Sequence, residues 1–159
     1  MKMKIKYMRV CEGLDPLQIL PNGEWIDLRT AEDVTLKKGE FKLIPLGVRI
    51  KLPAGFEAPI IPRSGTYGKH KVIMTNSMGL IDNTYCGKDD VWRFPALAME
   101  DTTIKKNTRI CQFRIQPSQF AGPYVKKKWL EVERIELVEE EWLTGGEESR
   151  GGFGSTGVD

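Results

Sequence analysis

The sequence holds a single histidine, His70, in 159 residues. A Ser-His-Asp or Cys-His mechanism would have to run through that one side chain, and no GxSxG elbow accompanies it. Its expected role is structural or at the edge of a substrate. Cysteine is almost as scarce. Cys11, Cys86 and Cys111 are odd in number, widely spaced and without a CxxC, which indicates neither a disulfide framework nor a zinc site. No apolar run approaches the ~20 residues that span a bilayer. The start, MKMKIKYMRV, alternates charged with apolar residues and lacks the unbroken apolar core of a signal peptide. An excess of charge of one sign is also missing. Lys and Arg total 24 against 22 Asp and Glu, a net charge of +2, which argues against a DNA-coating protein while leaving room for a local anion pocket. The expectation is a cytoplasmic protein with neither nucleic acid nor membrane as partner.

What is present is short strand signals. Ile5 and Tyr7 alternate with Lys4, Lys6 and Met8. The stretch 41–53 places Leu46, Val48, Ile50 and Leu52 on one face and Gly47, Arg49 and Lys51 on the other, ended by Pro53-Ala54-Gly55. Further runs follow at 56–62, 71–74, 78–81, 91–99, 109–115 and 124–132. Turn signals lie between several of them, at 21–23, 36–40 and 105–107. Short strands at spacings near ten residues predict an all-β sandwich or barrel. Helix signals are few. Residues 64–70 allow one helical turn, and the glutamate-rich stretch 130–142 is ambiguous between helix and strand. The domain is expected to span 1–143. Six glycines crowd the last 15 residues, and 144–159 has too little apolar content to pack, so it is expected to be a mobile arm.

Four segments contain groups suited to chemistry. The arm contains Gly152-Phe153-Gly154-Ser155-Thr156-Gly157, letter for letter a GxGxxG pattern, but the chain ends two residues later with no βαβ unit. On composition it is either a solvated tail or a phosphate clamp. In a clamp, glycine amides approach an anion, Ser155 and Thr156 donate hydroxyls, Arg150 adds charge and Phe153 stacks on a base. Pro62-Arg63-Ser64-Gly65 is either a turn or an anion site with a guanidinium fork. In the segment 79–87, which reads as a hairpin, Asp82 is either a turn carboxylate bonding its own backbone or a general base for water. Tyr85 is placed to pack under a sugar, and Asn76 has an amide that matches a base edge. Gln112, beside Arg109 on a strand, is a phosphate donor or a surface amide.

Taken in order, these segments resemble the trimeric dUTP pyrophosphatase (dUTPase) family, closest to its (pro)phage-encoded bacterial branch. Five motifs carry the resemblance: Trp25-Ile26-Asp27-Leu28 with the residues after it, PRSG at 62–65 with Lys69-His70, GLIDNTYCG at 79–87, Thr108 to Gln112, and Arg150 to Gly157. The first motif has Glu24-Trp25-Ile26 where the family usually has Ala-Gly and an aromatic. The fourth has Asn107-Thr108 in place of Gly-Asp, and the acidic Lys88-Asp89-Asp90 after the third is unusual. The resemblance implies a distorted jelly roll (a dUTPase-like β-clip barrel) assembled as a homotrimer with shared clefts. It implies hydrolysis of dUTP to dUMP and pyrophosphate, limiting uracil in DNA and supplying dUMP for thymidylate synthesis. Asp82 would activate the water that attacks the α-phosphorus. Tyr85 would lie beneath the deoxyribose, and Asn76 and Gly79 would read uracil. Arg63, Ser64, Gly65 and Gln112 would bind phosphates. Arg150, Phe153, Gly154, Ser155 and Thr156 would close the cleft. Mg²⁺ would be held mainly by the substrate phosphates, with Asp27 acting indirectly through water. Two alternatives accompany this reading: a dCTP deaminase of the same fold, and a nucleotide-gated regulator that binds a protein partner.

Overall fold

The computed structural model describes residues 1–141 and 143. The arm expected at 144–159 lies outside them. Thirteen strands and two short helices make up the described chain. β1 (Lys2–Arg9) buries Met3, Ile5 and Tyr7 and turns its lysines outward, as a period of two requires. It pairs antiparallel with β5 (Val48–Lys51) and parallel with β13 (Arg134–Glu139). Residues 134–139 of the glutamate-rich stretch are therefore a strand. The alternation that the sequence leaves ambiguous is resolved by its place beside β1.

The sheet that positions the site is built on β6 (Phe56–Pro62). One edge of β6 pairs with β8 (Gly79–Asp82). The other pairs with β11 (Arg109–Phe113) and with β12 (Gln116–Pro117), and β2 (Ile26–Arg29) lies beyond β11. A second antiparallel sheet runs β4 (Phe41–Pro45), β9 (Arg93–Ala98), β7 (Val72–Met74). A two-stranded ladder joins β3 (Val34–Leu36) to β10 (Thr102–Ile104). Between the sheets lies one continuous apolar core that includes Trp92, Phe94 and Phe113. Trp92 and Phe113 meet edge to face at 5.1 Å.

Four expectations are corrected. The stretch 41–53 is two strands, because Gly47 adopts φ +65° and breaks the run. Arg49, placed by alternation on the polar face, is 3% exposed. The run 124–132 is a helix, α2 (Pro123–Leu130). Proline at its first turn favours helix, and the i, i+4 pair Val125 and Trp129 packs inward, Trp129 against Phe56 at 5.6 Å. The segment 79–87 is not a paired hairpin. The chain does turn at Asn83-Thr84, but β8 pairs with β6, and residues 83–92 return as a strap to β9.

Candidate functional site

The loop after β6 is fixed from both sides. The Arg63 amide donates to Thr66 Oγ1 (3.0 Å), Thr66 N donates to Arg63 O (3.0 Å), and the buried Thr66 hydroxyl donates to Ile110 O on β11 (2.7 Å). These bonds set the start of α1 (Thr66–His70), which closes with Lys71 N donating to Tyr67 O (2.8 Å). The loop thus carries Arg63, Ser64 and Gly65 in a defined arc with Ser64 exposed. Asp27, on β2, reaches across to this loop. One carboxylate oxygen takes Arg63 Nε at 2.8 Å and the other takes Arg109 Nη1 at 3.3 Å. The Asp27 side chain is 15% exposed, and those of Arg63 and Arg109 are 28% and 41%. Gln112, one strand in from Asp27, donates from Nε2 to Pro62 O at 3.3 Å. Sequence reasoning joins Arg63, Ser64, Gly65, Gln112 and Asp27, and the structure brings all five together. The site expected from sequence omits Arg109, although it stands in the fourth motif near Gln112. Its contact with Asp27 depends on the β2–β11 pairing, which local sequence does not record.

A notch of about 20 Å³ lies beside these groups, lined by Pro16, Gln18, Leu20, Asp27, Arg29 and Arg109. A larger groove of about 700 Å³ is elsewhere, between Arg9, Cys11 and Glu139 to Glu141. Its carboxylates repel a polyanion, so volume alone does not locate a phosphate site here.

The second half of the expected site sits at the other end of β6. Asp82 pairs with Glu57, and Asp82 Oδ1 accepts from Thr84 N (2.9 Å) and Thr84 Oγ1 (2.5 Å). Its turn role is therefore present, and it holds the carboxylate in one orientation. Tyr85 is 7% exposed, and its hydroxyl donates to Val91 O at 3.2 Å. Burial, and then the charge of Asp90, pushes the Tyr85 phenol above its usual 10.0, so it stays protonated. Gly79 lies against Met74 and Ile60, with Asn76 Nδ2 3.9 Å from where a Cβ would stand. Asn76 itself is exposed.

Arg63, just past the end of β6, is six positions along the chain from Glu57, which stands opposite Asp82. At about 3.3 Å per residue that is about 20 Å. One chain therefore does not place the carboxylate of Asp82 and the guanidinium of Arg63 on the same phosphate group. Arg150, Phe153, Gly154, Ser155 and Thr156 lie outside the described residues. His70 is half-buried, and burial, followed by the charges of Lys69 and Arg63, lowers it below its usual 6.5.

No group of three or more His, Cys, Asp or Glu among the described residues is arranged to hold a metal ion. Asp27 is engaged by two guanidiniums. This donor set fits a metal that arrives on a polyphosphate, and it does not fit a resident ion caged by carboxylates.

An all-β fold with guanidinium and amide groups gathered from one loop and the strand beside it, and a fixed carboxylate and tyrosine on one turn, defines the class: the dUTPase model matches residues 26–157, and the chain belongs to that family. It is 49% identical over 158 residues to the SPbeta prophage-derived deoxyuridine 5′-triphosphate nucleotidohydrolase YosS of Bacillus subtilis (strain 168), covering 99% of each chain. Its fold matches that of an Asp-to-Asn mutant of the dUTPase from phage phi11 of S. aureus, for which coordination of a structural Mg(II) ion is described (TM-score 0.65, 16% identity, 74% of this chain and 93% of that one). It also matches the dUTPase of Streptococcus mutans (TM-score 0.64, 18% identity, 74% and 98%). Among the described residues, no helix is long and apolar enough to cross a membrane.

Proposed function

We propose that this chain hydrolyses dUTP to dUMP and pyrophosphate in a cleft completed by a second copy of itself. The observation that carries the reading is the split along β6. Arg63 is anchored by Asp27 at one end, Asp82 is anchored by Thr84 at the other, and about 20 Å lies between them. Two copies, one supplying each end, make a complete site, and a closed homotrimer supplies three.

In that cleft Arg63, Ser64, Gly65 and Gln112 bind the phosphate chain. The carboxylate of Asp27 orients both guanidiniums toward it. Asp82 accepts a proton from water as the water oxygen bonds the α-phosphorus. The bond from that phosphorus to the bridging oxygen breaks, and pyrophosphate leaves with the electron pair. Mg²⁺, when bound with the substrate, would supply neutralisation of charge on the phosphate chain, and Asp27 is the residue that would act on it, indirectly through water. Tyr85 lies under the deoxyribose, where its packed ring leaves no room for a 2′-hydroxyl. Asn76 and the backbone at Gly79 read uracil. The arm 144–159, with Arg150, Phe153, Gly154, Ser155 and Thr156, closes over the nucleotide. Removing 150–159 should cost activity far more than stability. The setting proposed is the cytoplasm, where dUTP is drawn from the nucleotide pool.

The test is pyrophosphate release from dUTP, dTTP, dCTP and UTP with Mg²⁺, with ammonia release from dCTP measured alongside. The reading requires strong preference for dUTP and no ammonia. Comparable turnover of all four, or deamination of dCTP, overturns it.

A further inference from the structure

The acidic stretch Lys88-Asp89-Asp90 supplies none of the expected substrate contacts, and Arg49 sits where alternation predicts a solvent-facing cation. The structure joins these two anomalies. Arg49 is 3% exposed and Asp90 1%. From β5, Arg49 Nε donates to Gly87 O at 2.9 Å and Nη2 donates to Cys86 O at 3.1 Å. Two donors on one edge of a rigid guanidinium hold two successive carbonyls, a geometry that a lysine ammonium does not reproduce. Asp90 Oδ2 accepts from Gly87 N at 2.8 Å. One glycine is therefore held at its carbonyl by a buried cation and at its amide by a buried anion. The strap continues to Val91, whose carbonyl accepts the Tyr85 hydroxyl. It ends at Trp92, where Leu46 N donates to Trp92 O (2.9 Å) and Trp92 N to Val48 O (3.0 Å).

We infer that Arg49 and Asp90 form a buried latch that positions Tyr85, so that Arg49, itself buried away from solvent, sets discrimination between a 2′-deoxyribose and a ribose. The inference rests on the proposed contact of Tyr85 with the sugar. A buried charge with its hydrogen bonds fulfilled rigidifies its surroundings. Here those surroundings are the residues immediately after Tyr85 and the carbonyl that holds its hydroxyl. Arg49 and Asp90 are positioning residues, and neither is assigned a contact with substrate.

The experiment compares kcat/KM for dUTP and for UTP in the wild-type chain, Arg49→Met, Arg49→Lys, Asp90→Asn and Tyr85→Ala, with the thermal midpoint of each. Arg49→Met should lower the dUTP-to-UTP ratio about tenfold, chiefly through KM, since small displacements of a positioning group are amplified in specificity. Arg49→Lys should fall between Arg49→Met and wild type. A merely structural role would lower the thermal midpoint and leave the ratio alone. An unchanged ratio in Arg49→Met, with the ratio lost in Tyr85→Ala, overturns the latch and leaves the sugar reading standing. An unchanged ratio in Tyr85→Ala overturns the sugar reading and the latch with it. Should Arg49→Met fail to fold, Arg49→Lys and Asp90→Asn decide on the same ratio.

Discussion

At the scale of single residues, the site consists of charges held by named partners. Asp82 carries a turn and, in the proposed reaction, a proton. Replacing it with Asn keeps an oxygen for Thr84 N and Thr84 Oγ1 and removes the basic group. Asp82→Asn should lower kcat on dUTP by about 10²–10⁴-fold with an unchanged thermal midpoint. Retained turnover removes Asp82 from the reaction. His70 shows a different effect of burial. Its folded-state value lies below the ordinary 6.5 because burial and the nearby Lys69 and Arg63 disfavour the cation. The unfolded chain therefore binds the proton first as pH falls, and stability is lost below about pH 6.5. The thermal midpoint of the wild-type chain should drop from pH 7.5 to pH 5.5, and His70→Gln should flatten that slope. Equal slopes in the two proteins would show that other groups govern it.

At the scale of elements, strand boundaries decide where chemistry falls. The apolar alternation of 41–53 is legible in the sequence, but its break is not. Gly47 shows only as one more residue in a period of two. In the fold it sits at φ +65°, and a Cβ there would stand 2.9 Å from Cys11 Sγ and from Leu14 Cδ2. Gly47→Ala should therefore destabilise the fold by about 1–3 kcal/mol, read from urea unfolding. A neutral substitution would mean that the turn relaxes freely. The break also lets β5 turn Arg49 inward, which no local pattern predicts. Similarly, 124–132 carries β-prone residues, yet tertiary packing of Val125 and Trp129 on the core makes it a helix.

At the scale of the whole molecule, the distance along β6 has a direct consequence. If each cleft takes Asp82 from one copy and Arg63 from another, two dead variants should rescue each other. Asp82→Asn and Arg63→Ala chains, unfolded together and refolded at equal amounts, should regain about one quarter of wild-type activity. Random assembly leaves that fraction of two-chain clefts intact. Each variant refolded alone should stay inactive. No recovery on mixing would place both groups in the cleft of a single chain and overturn the shared site.

The sequence by itself determined the all-β class, the five ordered motifs and the identities of the charged residues, because these rest on local periodicity and on residue chemistry. Tertiary structure alone decided that Asp27 meets both Arg63 and Arg109, since that contact needs β2 paired to β11. It also decided that Asp90, after Tyr85, is buried and that Arg49 holds the carbonyls of Cys86 and Gly87, and that Asp82 and Arg63 stand at opposite ends of β6. Each of these depends on strand pairing between segments distant in sequence, and hydrophobic periodicity records which face of a strand is buried without recording its partner.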